Sequence, residues 1–321
     1  MIKSDRFDHI FDRLLWEVSL HPQFICSPRG QKVKESLVVS FELTNPRARL
    51  LSCPTRKADY GFAVGEFLWY WTGRRDLESL LYYNKRAKDF SNDGLTVNSA
   101  YGYRLRERGV FAGVDRHVYG SGATQWETCV KTLEDDPDSR RAVMLINMPE
   151  DEREAVFCGS KDVPCTLSLQ FFIRDNKLHL HVLMRSNDVM WGLTYDLFSF
   201  TLMQECMLLE LQQYPKFEKL ELGSYYHTAG SMHIYERHFE QAEKIIEEYR
   251  SNLKLHEAME PLSSLYQLKV VSHIAENIRI HGMVPGTLDL SEDMDGTAEW
   301  MLSRLVEHRL KRDRQARGEK E

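Results

Sequence analysis

The sequence predicts an α+β protein, a mixed β-sheet with long helices packed on it. Three stretches carry that expectation. "CTLSLQFFIRDNKLHLHVLMRS" reads as two strands joined by the turn "RDNK". Residues 189 to 213 are long and apolar enough to form a central buried helix. Residues 236 to 254 carry the mixed acidic and basic pattern of an amphipathic surface helix.

The other elements follow in chain order. In residues 6 to 20, Phe7, Ile10, Phe11, Leu14, Leu15 and Val18 recur at helical spacing. Residues 37 to 44, "LVVSFELT", are β-branched and predict a strand. Residues 60 to 84 are aromatic-rich and helical in pattern, and "RRAVMLINM" predicts a short buried strand. "LELGSYYHT" predicts another strand. The charged tail from Glu307, "EHRLKRDRQARGEKE", is expected to be a solvated helix end or disordered.

Length and charge limit the function classes. The 321 residues are 42% hydrophobic and 28% charged, which suits a globular protein with a sizeable core. No linker-like composition or internal repeat marks a boundary, so one domain over 1–321 is expected. A formal net charge of −6 argues against a nucleic-acid binder, and any anionic ligand must be met by local arginines. No run of about 18 apolar residues suggests a membrane span. "MIKSDRFDHIFDRLL" lacks the apolar stretch of an export signal. Six cysteines without a CxxC pair then suggest reduced thiols in the cytoplasm. His179 and His181 share a strand face, but no cysteine or carboxylate stands beside them at ligand spacing, so no metal is expected.

The chemistry concentrates after "PC". Cys165 can act as a nucleophile only as a thiolate, and a free thiol titrates near about 8.5. Arg185 ends the strand that the hairpin lays beside the cysteine, and a guanidinium favours the anion. A lone cysteine is more often a small buried hydrophobe, so the wider pattern decides.

That pattern resembles the thymidylate synthase family. "PC" followed by "QF", then "RSNDVMWGLTYDLFSF" and "GSMHIYERH", match in order and spacing its nucleophile, phosphate-and-base and sugar segments. "PDSRR" matches its paired arginines, "GEFLWYWTG" its glutamate-bearing helix and "SPRG" its phosphate loop. The match runs from about residue 25 to 250. It implies a thymidylate synthase-like fold, a homodimer, and a pyrimidine nucleoside monophosphate with 5,10-methylenetetrahydrofolate as co-substrates. By the same resemblance Cys165 attacks carbon 6 of the base, and Arg29, Arg185, Arg140 and Arg141 bind the 5′-phosphate, the last two from the partner subunit. Ser186 adds a hydroxyl to that clamp, and Gln170 belongs to the nucleotide site. His233 and Tyr235 hold the sugar 3′-hydroxyl. Glu66 organises water and relays protons, while Asp188 and Gly192 meet the folate.

The departures from the family point to a particular reaction. Synthases that make thymidylate carry asparagine where this chain has Asp196, and the family's cytidylate hydroxymethylases carry aspartate. Asparagine's amide suits uracil, with a carbonyl at carbon 4 and a hydrogen on nitrogen 3. Cytosine reverses that edge, and a carboxyl group sharing a proton can accept from its amine and donate to its ring nitrogen. "YNKRAKDFSND" stands where the synthases have a tryptophan-rich segment, and "RQARGEKE" where they have an apolar C-terminus. A wetter site would let water, not hydride, meet the exocyclic methylene. Hydroxymethyl transfer to dCMP is therefore expected, with CMP as the alternative nucleotide. A dUMP-using synthase and a non-catalytic nucleotide-binding relative are further alternatives. Thr166 for histidine and Thr194 for proline have no reading from sequence.

Overall fold

A computed structural model describes residues 1–108, 122–251, 253–282 and 294–318. Its ten described α-helices are α1 (Phe7–Leu20), α2 (Tyr60–Trp71), α3 (Leu77–Tyr83), α4 (Tyr101–Arg106), α5 (Gln125–Asp135), α6 (Pro149–Cys158), α7 (Gly192–Leu211), α8 (Phe239–Arg250), α9 (Leu265–His281) and α10 (Gly296–Ala316). The strands are β1 (Ile2–Ser4), β2 (Phe24–Cys26), β3 (Val33–Leu43), β4 (Val143–Leu145), β5 (Thr166–Arg174), β6 (Lys177–Asp188) and β7 (Glu221–Tyr235). Two compact units contain them. The first comprises Met1–Ala58, Trp126–Asn147 and Pro164–Met259; the second is drawn from Asp59–Gln125, Met148–Val163 and Glu260–Glu321.

The first unit holds the mixed sheet that the sequence predicts. Strand order is β1-β3-β7-β6-β5-β4, with β2 added on β3. β6 and β7 run parallel, as do β1 and β3, and the remaining pairs are antiparallel. The β5–β6 hairpin forms because Asp175 and Asn176 take φ of 51° and 55° at its tip. Short polar side chains tolerate that left-handed geometry best after glycine. β7 runs well beyond the predicted "LELGSYYHT". It pairs with β3 on one side and β6 on the other, so the ladders hold its polar second half extended. β4 departs from its expected burial: Met144 is buried, but Val143 and Leu145 are exposed, because successive strand residues point to opposite faces and only the face of Met144 is covered.

Between the parallel strands runs α7, about 30 Å long at 1.5 Å per residue. Sixteen of its twenty residues are buried, which explains why its sequence is apolar all round and not striped. Gln204 and Glu205 find partners inside the core. The Gln204 amide donates to the carbonyls of Leu178 and Gly223 at 2.9 and 3.1 Å, where the β6–β7 ladder shifts register. Buried Glu205 accepts from Arg47 at 2.8 Å and pairs with buried Arg49. α1 buries the predicted stripe from Phe7 to Val18.

In the second unit the predicted helix over residues 60 to 84 is two helices. Asp59 caps α2 by accepting from the Phe62 N–H at 2.9 Å, and Gly73, at φ 68°, turns the chain out after Trp71. Asp76 then caps α3, accepting from the Ser79 N–H at 3.0 Å. The charged tail is ordered in α10 as far as Ala316, and it is not wholly solvated. His308 is buried, and Arg312 donates to the Tyr82 carbonyl. Residues 319–321 lie outside the described residues. Among the described residues, no helix is long and apolar enough to cross a membrane.

Candidate active site

The segment around Cys165 is held by β-sheet hydrogen bonding. Cys165 stands immediately before β5, and its carbonyl accepts from the Arg185 N–H at 2.9 Å. The Arg185 side chain turns back over the same segment, its Nε donating to the Pro164 carbonyl at 3.0 Å. Gly230 on β7 makes room: a Cβ there would lie 3.0 Å from the Arg185 carbonyl, close enough to require the backbone to give. Burial pushes the Cys165 thiol up; Arg185 and Arg29 oppose this, while Asp196 and Asp188 reinforce it. Arg29 reaches this cluster from the turn Pro28–Gly30, where its φ is 52° and its side chain is exposed.

The end of β6 supplies the next groups. Ser186, Asn187 and Asp188 lie in register with Ser231, Met232 and His233 on the parallel β7. The Ser186 hydroxyl and His233 Nδ1 are 3.4 Å apart. Burial raises the Asp188 carboxyl pKa against the opposing pull of His233, and burial lowers that of the His233 imidazole. Asp188 also accepts from the Met190 N–H at 2.9 Å, which starts the turn into α7. Tyr235 stands edge-on to His233 at 5.1 Å, and the Arg237 guanidinium lies 4.2 Å from the Tyr235 ring centre.

Asp196 comes back over this strand end from the second turn of α7. The Asn187 amide, almost fully buried, donates to Asp196 Oδ2 at 2.7 Å. Burial pushes the Asp196 carboxyl up to about 7, with Asp188 adding to the effect and the Asn187 hydrogen bond opposing it. At neutral pH this group therefore exists in both protonation states. Gly192 lets the pair form: a Cβ there would sit 3.1 Å from Asn187 Nδ2 and 3.3 Å from Asp196 Oδ2.

Cys165, Arg185, Arg29, Ser186, Asp188, Asp196, Gly192, His233 and Tyr235 all lie in the first unit. Four other candidates are placed differently. Arg140 and Arg141 are exposed just before β4, and Gln170 Nε2 donates to the Arg140 carbonyl at 2.9 Å. Glu66 is half-buried in α2 of the second unit. His179 and His181 share a strand face: His179 Nδ1 accepts from the Ser224 N–H at 3.0 Å, and His181 Nε2 is 3.1 Å from the Thr228 hydroxyl.

Two features escaped the sequence. Asn187 inside "RSND" gives no sign that it faces Asp196. Buried Arg56 lies against Trp191 and Tyr195, 5.3 and 5.5 Å from their ring centres, and its Nη2 donates to the Thr194 hydroxyl at 3.4 Å. The only sequence signal for it was the unexplained threonine at 194, which here supplies an acceptor that proline lacks. Thr166, the other unexplained departure, is fully buried, and its replacement of histidine has no structural explanation.

The family model for thymidylate synthase matches residues 30–285. The chain is 36% identical over 211 residues to the deoxyuridylate hydroxymethyltransferase of Bacillus phage SP01, covering 66% of this chain and 52% of that protein. It thus spans about half the length of that phage relative. It is 27% identical over 205 residues to thymidylate synthase 1 of Bacillus subtilis (strain 168), covering 63% of this chain and 67% of the relative. The thymidylate synthase of Bacillus phage phi3T gives the same identity and coverage. The chain belongs to the thymidylate synthase family.

Proposed function

We propose that this protein is a folate-dependent pyrimidine nucleotide 5-hydroxymethyltransferase that acts on dCMP. The observation that carries the choice of base is Asp196, a carboxyl group pushed up to about 7 where a uracil-reading site would need an amide. In its protonated form it presents one donor and one acceptor, matching the ring nitrogen and amine of cytosine.

The Cys165 thiolate adds to carbon 6 of the base, and carbon 5 becomes the nucleophile. Carbon 5 bonds to the methylene carbon of 5,10-methylenetetrahydrofolate, loses its proton, and tetrahydrofolate leaves from that carbon. Water then adds to the exocyclic methylene, and the thiolate departs from carbon 6. The balance is dCMP, methylenetetrahydrofolate and water giving 5-hydroxymethyl-dCMP and tetrahydrofolate. Arg29 and Arg185 hold the 5′-phosphate with Ser186, arginine's planar fork suiting phosphate oxygens. Arg140 and Arg141 complete the clamp across a homodimer, and their exposed position is compatible with service to a second subunit. Gln170 braces this arginine segment through the Arg140 carbonyl. His233 and Tyr235 take the sugar hydroxyl, Asp188 and Gly192 the folate, and Glu66 the water.

The phage SP01 relative favours a second nucleotide, dUMP, with the same hydroxymethyl chemistry. Release of tritium from carbon 5 of labelled dCMP, CMP and dUMP, with the product mass, separates the cases. Release from dCMP with a product heavier by one CH2O unit is expected. Release from dUMP alone overturns the assignment of Asp196. Cys165→Ala should bind nucleotide and release no tritium; retained release would exclude covalent addition through this thiol.

A further inference from the structure

We propose that Asn187 is a specificity-determining positioning residue, one that fixes which oxygen of Asp196 carries the proton and so which base edge the site accepts. The inference rests on the assignment of Asp196 as base reader and extends it to a residue that touches Asp196 and not the base.

A carboxyl group alone has two equivalent oxygens, and its proton can sit on either. Asp196 is not in that position. Asn187 Nδ2 donates to Oδ2 at 2.7 Å from a side chain that is only 3% exposed, so water does not compete for the contact. A donor aimed at Oδ2 keeps that oxygen an acceptor and leaves the proton on Oδ1. The opposite amide orientation would draw the proton onto Oδ2 to bond the Asn187 carbonyl, and would leave Asp196 no donor for the base. Backbone geometry holds the pair together: Asn187 lies in the β6–β7 ladder opposite Met232, and Gly192 leaves the space that a Cβ would crowd at 3.1 Å from Nδ2 and 3.3 Å from Oδ2.

The edge that results is ordered, with an acceptor at Oδ2 and a donor at Oδ1. Cytosine offers its amine to the first and its bare ring nitrogen to the second. Uracil offers a carbonyl and an N–H, which requires the reverse order, and Asn187 disfavours the reverse order by occupying Oδ2. Ionised Asp196 could still accept from the uracil N–H, but the carbonyl at carbon 4 would then face an acceptor. Asn187 therefore widens the gap between the two bases without contacting either.

The test compares full-length wild type, Asn187→Leu and Asn187→Ala in tritium release from dCMP and dUMP. Near-ultraviolet circular dichroism of each variant reports whether the fold is kept. Leucine fills nearly the same volume and supplies no donor, so it remains informative if the alanine variant does not fold. The expected result is a fall of about tenfold in the dCMP-to-dUMP ratio of kcat/KM, the scale of one lost hydrogen bond that orders a reader. The loss should fall on dCMP, with dUMP turnover unchanged or raised. A merely structural role would lower both substrates together and leave the ratio in place; an unchanged ratio in a folded variant overturns the inference alone. Wild type that turns over dUMP and not dCMP overturns the base assignment, and the inference with it.

Discussion

Arg185 holds Cys165 from two directions: its backbone N–H donates to the cysteine carbonyl at 2.9 Å, and its Nε to the neighbouring Pro164 carbonyl at 3.0 Å. The first bond positions Cys165, and the second places a guanidinium beside a thiol that burial pushes up. Arg185→Ala keeps the first and removes the second. The midpoint of iodoacetamide alkylation at Cys165 should then move to higher pH, with a slower rate at neutrality. Arg185→Lys, which keeps a charge but loses the planar fork, should fall between the two. An unmoved midpoint in the alanine variant would mean that Arg29 alone supports the thiolate.

Asp196→Asn tests the proposed base-reading role of Asp196 directly. The amide reverses the donor and acceptor order offered to the base, so it should lose dCMP turnover and gain dUMP turnover. A mismatch of about 1–3 kcal/mol per unsatisfied group puts the change in the kcat/KM ratio at about 10- to 100-fold. Steady-state kinetics with both nucleotides measures it. A variant that still prefers dCMP would place base selection elsewhere in the site.

The pH profile of kcat/KM on dCMP should show both ionisable partners. In the proposed mechanism turnover needs the Cys165 thiolate and protonated Asp196. From low pH the thiolate fraction rises about tenfold per unit, and so does the rate. Above about 7 Asp196 ionises, and its loss cancels the further gain in thiolate, so the rise flattens near that pH. In Asp196→Asn, assayed with dUMP, nothing offsets the thiolate, and the rise should continue to higher pH. A wild-type profile that climbs without a break through 7 would show that the carboxyl proton is not required.

The same group makes folding pH-dependent, with a sign that can be fixed. In the unfolded chain Asp196 ionises near about 4, whereas in the folded protein it holds its proton to about 7. Between those values the folded state binds more protons, so stability falls as pH rises through this window and the cost is complete above about 7. Thermal unfolding of unliganded protein at pH 5 and pH 8 measures this. The drop in Tm between the two should be smaller in Asp196→Asn, and an equal drop would assign the dependence to other carboxyls.

The stretch from Cys165 to Asp196 stood out in the sequence as a candidate site because its motifs are contiguous, and the strand pairing keeps them close in chain order. The hairpin was legible for a local reason, an Asp-Asn pair suited to left-handed turn geometry. What stayed hidden depended on distant contacts. The second half of β7 is a strand because two neighbours hold it, and Asn187 acquires a role only when α7 folds Asp196 back onto it. The break between α2 and α3 depends on Gly73 and the Asp76 cap, two small signals inside an otherwise continuous helical pattern. α9 and the first part of α10 went unread altogether.

The ion pair beneath α7 gives the last prediction, one about stability and not turnover. Glu205 on α7 is buried with Arg49, whose Nε and Nη1 have no hydrogen-bond partner among the described residues, so the charge of Arg49 depends on this carboxylate. Burial already works against that charge. Glu205→Ala leaves the guanidinium in the core without its counter-ion, and breaking such a pair costs about 3–5 kcal/mol. Arg47 reaches the same carboxylate at 2.8 Å, but its side chain is 27% exposed, and water can replace the lost contact. Arg47→Ala should therefore cost much less, on the order of 1 kcal/mol or below. Urea unfolding followed by tryptophan fluorescence ranks the two. Equal costs would mean that the partly exposed pair carries as much as the buried one, and that burial does not set the strength of this contact.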